Sequence, residues 1–382
     1  MKILFIGPYR QDDGWGHASR SFLKSLCLTE HDISSAPVYL NQQKEYRKFS
    51  DSFILSSENN RLIDYDVVIQ NCLPHMFRKY GGVKNVGISF FESTIKNTPW
   101  THSIELMDRM WVSSSFERQI LEDFPNVDIV PIPSDIDVID QEFEYQRVVD
   151  KKEGDFIFYF IGENITRKNL AALIKAFHLE FKPYEEVKLV LKVNNVGRSQ
   201  EDTFQEVKNL ANNIKGELGL YKDTSMYKPE FVITRFLSEN DLRGLHRDCD
   251  CFVMPSSGEG FCIPAFDALL NNSYIIANRN CSIADYVKEG SNGHLVKSTL
   301  TPAIAPDRPL SFLYNGRDYW YEVNVNDLRE AMRSVYAFLT NSLHKEKRTF
   351  EDVVVNYNKK EILPYYSFER VAESMNVALG RL

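Results

Sequence analysis

The sequence predicts an α/β protein with two parallel-sheet domains, and three observations carry that prediction. Short apolar runs alternate with helical patterns through almost the whole chain, the pattern of parallel strands covered by helices on both faces. The alternation occurs twice, on either side of a charged stretch at 140–154 that contains Gln141, Glu142, Glu144, Arg147 and Asp150-Lys151-Lys152-Glu153-Gly154. The 382 residues exceed one ordinary core and suit two domains of roughly 150–200 residues.

In chain order, the first domain is expected over 1–148, with strands at 2–7, 67–70, 86–91, 110–113 and 127–132. Helices at 17–28 and 115–124 lie between them. The second domain, 149–360, has strands at 156–162, 188–193, 231–234, 251–254, 274–277 and 294–296. Its helices fall at 168–181, 201–215, 238–247 and 263–270; in the first, Leu170, Leu173, Ile174 and Phe177 share one face. Residues 299–321, with Pro302, Pro306 and Pro309, read as a long irregular loop. Residues 361–382 read as a closing amphipathic helix with Ser367 as its cap.

Composition narrows the function classes. A net charge of −8 argues against a general nucleic-acid or membrane-surface binder. The 6 cysteines are scattered without a CxxC pair, so neither a zinc site nor a disulfide framework is expected, and Cys249 and Cys251 read as buried. The apolar start is too short for a signal peptide and no run could span a bilayer, so the expected setting is cytoplasmic, with no integral membrane segment. Of the three Asp-x-Asp pairs, Asp64/Asp66 and Asp248/Asp250 precede strands, on the wrong rim for a ligand, and Asp135/Asp137 lies near the interdomain break. None reads as a metal site.

The richest stretch is Ser256-Ser257-Gly258-Glu259-Gly260-Phe261-Cys262-Ile263-Pro264-Ala265-Phe266-Asp267. A buried strand ends, a Gly-flanked loop exposes Glu259, and a helix begins with Pro264 at an early position. Ligands of open α/β sheets sit at this rim, and helix N-termini favour anions. Asp267 falls two turns along the same helix, either as an acceptor for a ribose diol or as an exposed polar residue. Arg167 and Lys168 follow the 156–162 strand at the start of a helix, where cations are unfavourable unless an anion joins them, and a diphosphate fits best. Lys192 ends the next strand, either adding a third charge or snorkelling from its edge. In the first domain, Gly14 and Gly16 flank Trp15 ahead of His17 and allow close backbone approach to a ligand, although a tight turn explains them almost as well. Ser19 stands where a dinucleotide fingerprint would have its third glycine. Glu92 follows the 86–91 strand as a candidate for contact with a reacting hydroxyl, or as an N-terminal helix charge.

These residues resemble the retaining, nucleotide-sugar-dependent glycosyltransferases of family 4. The resemblance runs through Gly258-Glu259-Gly260-Phe261, Pro264 and Asp267-Ala268, then Ile283-Ala284-Asp285-Tyr286-Val287 and Gly290-Ser291-Asn292-Gly293-His294, with Arg167-Lys168-Asn169 and Ala176-Phe177 upstream. It covers most of the second domain and, loosely, the Gly14/Gly16 loop and Trp111-Val112-Ser113-Ser114-Ser115 of the first. It implies the GT-B fold, two Rossmann-like domains facing a central cleft, with the last helix crossing back to the first domain. It further implies that Glu259, with the backbone of Gly260, Phe261 and Cys262, holds the donor sugar, and that Asp267 replaces a family Glu on the ribose. Arg167 and Lys168 would neutralise the leaving diphosphate without a metal. Gly14 and Gly16 would join donor binding, His17 and Trp15 would lie on the acceptor side, and Glu92 would stand near the place of a family His. Glu163 stands where the family has an Arg.

The expected function is therefore metal-independent, retaining transfer of a sugar from a UDP or GDP sugar to an acceptor hydroxyl on a glycan, lipid or small molecule, with no cofactor. Two alternatives remain. A composition with 25 Phe and 19 Tyr leaves room for a phage-type enzyme acting on a modified base in DNA. The departures at Asp267 and Glu163 are those of a nucleotide-sugar-binding protein without catalysis. Acceptor and oligomeric state stay open.

Overall fold

Two six-stranded parallel sheets organise the chain. The computed structural model describes residues 1–40, 50–96, 99–305, 313–345 and 350–382. One unit comprises Met1–Ile136 with Ile362–Leu382, the other Asp137–Glu361.

Unit 1 runs β1 (Lys2–Gly7), α1 (Gly14–Cys27), β2 (Asp32–Pro37), α2 (Ser52–Asn59), β3 (Val67–Asn71), β4 (Lys84–Ile88), α3 (Trp100–Ile104), β5 (Arg109–Val112), α4 (Ser115–Ile120) and β6 (Val127–Ile129). The strand order is β2-β1-β3-β4-β5-β6. The apolar run of β3 is buried throughout, as a central strand with both faces covered must be. β2 is a strand that hydrophobicity does not announce. Its buried Ser35 shares a 2.8 Å hydrogen bond with Ser57 of α2, which makes a polar strand tolerable in the interior. β4 stops at Ile88, earlier than its apolar pattern suggests, so Glu92 lies in the following loop rather than at the strand's end.

Unit 2 runs β7 (Phe156–Gly162), α5 (Leu170–Glu180), β8 (Val187–Val193), α6 (Gln200–Leu218), β9 (Glu230–Ile233), α7 (Glu239–Asp248), β10 (Cys251–Met254), α8 (Ile263–Leu270), β11 (Tyr274–Asn278), β12 (Gly293–Val296), β13 (Ser298–Ile304), β14 (Asn315–Val323), α9 (Val325–Lys345) and α10 (Phe350–Tyr357). Its order is β12-β11-β10-β7-β8-β9. The chain leaves β7 toward β8 and β9, then returns to β10 on the other side. The crevice outside the carboxyl ends of β7 and β10 is therefore the topological switch point, where this architecture takes ligands. The closing helix, α11 (Phe368–Leu379), belongs to unit 1. Ser367 caps it by accepting from the Arg370 N–H at 3.1 Å, and Val371, Met375 and Leu379 are buried.

The charged stretch after residue 137 packs on unit 2. Tyr145 donates to Asp248 Oδ1 at 2.8 Å, Lys151 pairs with Asp250 at 2.7 Å, and Asp241 accepts from the Gln146 N–H at 2.7 Å. Gly244 of α7 has no room for a side chain, since a Cβ there would lie 1.9 Å from the Tyr145 ring.

The irregular loop expected over 299–321 is instead the antiparallel hairpin β13–β14, paired from Ser298↔Val323 to Pro302↔Tyr319 with an irregularity before Ile304. Pro302 is tolerated because this sheet has two strands among the described residues, leaving each an outer edge that needs no donor. Pro306 and Pro309 lie outside the described residues. The Tyr321 N–H donates to Ser257 O at 2.9 Å, and Asn278 Nδ2 bridges Ser256 O (2.9 Å) and Tyr321 O (2.6 Å). β14 thus braces the loop that carries Glu259.

Candidate active site

At the unit 2 switch point, the loop after β7 and the loop after β10 are laced together. Arg167 and Lys168 lie on a short 3-10 turn, Thr166–Lys168, one residue ahead of α5. Asn169 ends the turn in the left-handed region (φ 52°), and its side chain caps α5 at the Ala172 N–H. From the other side, the Ser257 N–H donates to Arg167 O at 2.8 Å, and Ser256 Oγ donates to Gly258 O at 3.0 Å.

Glu259 lies between the two cations. Its Oε1 accepts from Lys168 Nζ at 2.7 Å and from Arg167 Nη1 at 3.1 Å, and Arg167 Nη1 also reaches Gly258 O at 2.5 Å. Glu259 is only 4% exposed. Burial pushes its carboxyl pKa up, but Lys168 and then Arg167 outweigh burial and hold it below the usual value. Burial likewise lowers the Lys168 pKa, and Glu259 more than restores it. The trio is therefore ionised at neutral pH. The sequence leaves the two cations in need of an anion, and in this structure the Glu259 carboxylate supplies it.

Gly260, Phe261 and Cys262 continue from this trio into α8. All three are buried, and Tyr286 OH donates to Phe261 O (2.8 Å) and Cys262 O (3.2 Å). Cys262 takes the cap position of α8 with φ 67° and provides no side-chain cap, and Pro264 sits in the first turn. Asp267, five residues into α8, is half-buried; burial, reinforced by Glu239 and offset in part by Arg243, pushes its carboxyl up to about 7. Lys192 is 4% exposed rather than snorkelling, and its Nζ donates to Asn194 Oδ1 at 2.5 Å. Burial and the charge of Arg235 bring its pKa down to about 8.

In unit 1, the Gly14–Gly16 turn differs from the ligand-approach expectation. A Cβ on Gly16 would lie 2.0 Å from Gln11 O, so this glycine is required by the turn's own packing. The Gly16 N–H already donates to Asp13 Oδ1 at 2.8 Å, which places a carboxylate at the start of α1. Arg20 Nη1 braces the turn through Gln11 O (2.6 Å) and Tyr9 O (3.0 Å). Trp15 packs edge-on against Phe90, ring centroids 4.7 Å apart, and His17 is exposed. Glu92 is half-buried in the loop after β4.

Sequence reasoning missed Glu117 of α4, which is 0% exposed. Its Oε1 accepts from the Phe91 N–H at 2.7 Å, and its Oε2 from the Ser113 N–H (2.7 Å) and Oγ (2.6 Å). The Ser114-x-x-Glu117 spacing of a capping box was the available signal. Asp64 and Asp250 are each paired with a lysine, Lys2 and Lys151. Among the described residues, no group of three or more His, Cys, Asp or Glu could hold a metal ion, and no helix is long and apolar enough to cross a membrane.

Residues 141–313 match the family model described as "Glycosyl transferases group 1". The "Uncharacterized glycosyltransferase YqgM" of Bacillus subtilis (strain 168) is 24% identical over 202 residues, 53% of this chain and 50% of that protein. The chain thus matches about half the length of this curated relative. Among solved structures, the lipopolysaccharide outer core galactosyltransferase WaaB in its apo form aligns with a TM-score of 0.63 at 13% identity, covering 100% of both chains. Anabaena HepE in complex with UDP aligns at 0.59 and 11% identity, again covering 100% of both. A sucrose-phosphate synthase from Thermosynechococcus elongatus aligns at 0.62 and 12% identity, covering 100% of this chain and 98% of the other.

Proposed function

We propose that this chain, whose residues 141–313 match the glycosyl transferases group 1 and which has the GT-B fold, moves a sugar from a nucleotide-diphosphate sugar to an acceptor hydroxyl with retention of configuration. One observation carries this reading: buried Glu259 is paired with Arg167 and Lys168 at the switch point of unit 2, so that two cations and a carboxylate converge where this architecture takes ligands. UDP in the HepE complex supports a uridine donor.

In this reading Glu259 and the backbone of Gly260, Phe261 and Cys262 hold the hydroxyls of the donor sugar, and Asp267 accepts from the ribose. Lys192 adds charge at the next strand end. The bond between the anomeric carbon and the diphosphate oxygen breaks, and the acceptor oxygen bonds to that carbon on the same face. The acceptor's proton passes to the departing phosphate oxygen. Arg167 and Lys168 stabilise the charge developing on the diphosphate, the work a metal does elsewhere. Glu92 of unit 1, with Trp15 and His17, is assigned to the acceptor side.

The test is nucleotide release from a panel of UDP and GDP sugars, with and without EDTA, in the full chain and in Glu259→Gln and Lys168→Met. The proposal expects turnover that resists EDTA and falls about 100-fold or more in either variant. Full turnover in both variants contradicts it. Nucleotide-sugar binding with no turnover on any acceptor would favour the non-catalytic alternative.

A further inference from the structure

We propose that Glu117 is a positioning residue that fixes the backbone carrying Glu92. The proposal rests on the reading of Glu92 as an acceptor-side residue.

Glu117 is the third residue of α4, and Ser114 caps that helix by accepting from the Glu117 N–H at 3.2 Å. In an ordinary capping box the glutamate returns to the backbone N–H of the cap residue. Here it overshoots: one oxygen takes the N–H of Ser113 and the other takes that of Phe91, 26 residues earlier in the chain. The hydroxyls of Ser113 and, at 3.4 Å, Ser114 complete the set of donors. One carboxylate thus clamps the loop leaving β4 to the loop leaving β5. Phe91 is 0% exposed with its ring packed edge-on against Trp100, so the residue before Glu92 is held at both main chain and side chain.

The choice of carboxylate is chemically specific. Both oxygens face N–H donors, so glutamine would turn its own N–H₂ against one of them, and aspartate is too short to reach both loops. The strongest influences on the carboxylate are burial, the Ser113 hydroxyl, the Phe91 and Ser113 N–H groups and the Ser114 hydroxyl. Burial pushes its carboxyl up to about 8, and the Ser113 hydroxyl, with the Phe91 and Ser113 N–H groups, opposes that rise. The ionised form, which only accepts, grips all the donors, whereas protonation converts one acceptor into a donor. Turnover should therefore rise with pH through the Glu117 titration.

The test uses the full chain and the donor on which the panel finds turnover, comparing Glu117→Gln, Ser113→Ala and Glu92→Gln for kcat, nucleotide Kd and the pH profile of kcat. Glu117→Gln should lower kcat by about 10- to 100-fold with Kd within about twofold, and should abolish the limb near pH 8. Ser113→Ala keeps the carboxylate and both N–H bonds but removes one donor to the ionised form, so it should move the limb to higher pH. This variant carries the test if Glu117→Gln fails to fold. Unchanged kcat and pH limb in Ser113→Ala and in any folded Glu117→Gln, beside an inactive Glu92→Gln, overturns the positioning role alone. Full activity in Glu92→Gln overturns the assignment of Glu92 and, with it, this proposal.

Discussion

At Cys262 a non-glycine residue holds φ 67° while buried beside the Glu259 trio. Side chains in this region cost about 1–3 kcal/mol, tolerated where the surroundings demand the conformation. Here the demand comes from the turn into α8, whose Pro264 fixes the first helical turn and whose cap carbonyl is held by Tyr286 OH. Burial also pushes the thiol up to about 12, so Cys262 is inert as a nucleophile. Cys262→Gly should raise the thermal midpoint by a few degrees, and Cys262→Val, branched at Cβ, should lower it. Calorimetry on the two variants checks the order; equal midpoints would mean that the conformation carries no strain. Glu259, Arg167 and Lys168 were legible as candidates because each follows an apolar strand. Their mutual pairing was not legible, because it depends on β7 and β10 becoming neighbours across more than ninety residues. Glu117 was overlooked for a related reason: its partner Phe91 lies in another loop, and carboxylates rarely read as core.

Among the elements, β9, α5 and α6 are tied by a buried trio of Glu230, His178 and Lys215, with Lys215 Nζ 2.8 Å from Glu230 Oε1 and His178 Nε2 bonded to the same oxygen. Burial opposes ionisation of Glu230, but the bonds from His178 and Lys215 win and hold its carboxyl down to about 2. A depressed carboxylate stabilises the fold above its unfolded pKa, near 4.5, and loses that contribution as pH falls toward 2. Glu230→Gln should therefore cost about 3 kcal/mol at pH 7, with the gap to the parent closing between pH 4.5 and 2. Urea unfolding across that range measures it, and a gap independent of pH would refute the assignment. The elements themselves were unevenly legible. β10 and α8 have the bounds read from sequence, because a continuous apolar run and an early proline are strong local signals. β2 was missed because its serines find buried partners only in the fold. The β13–β14 hairpin was missed because its prolines mask an antiparallel pair held partly by Asn278 and the Ser256–Ser257 backbone.

For the molecule as a whole, the net charge is −8, yet basic side chains gather at one rim of unit 2. Arg167 and Lys168 converge on the unit 2 switch point, with Lys192 at the end of the neighbouring strand β8. Fold class was legible from the doubled strand–helix alternation, because parallel sheets write themselves as buried apolar runs. In the proposed reaction these side chains receive a nucleotide diphosphate. The most direct measurement is calorimetric titration of UDP and GDP into the full chain and into Arg167→Met and Lys168→Met. The parent should bind one nucleotide, and each variant should bind about tenfold or more weakly, since each loses a charge-assisted contact worth about 1.5–3 kcal/mol. Equal affinity in parent and both variants, or no binding of either nucleotide by the parent, would contradict it.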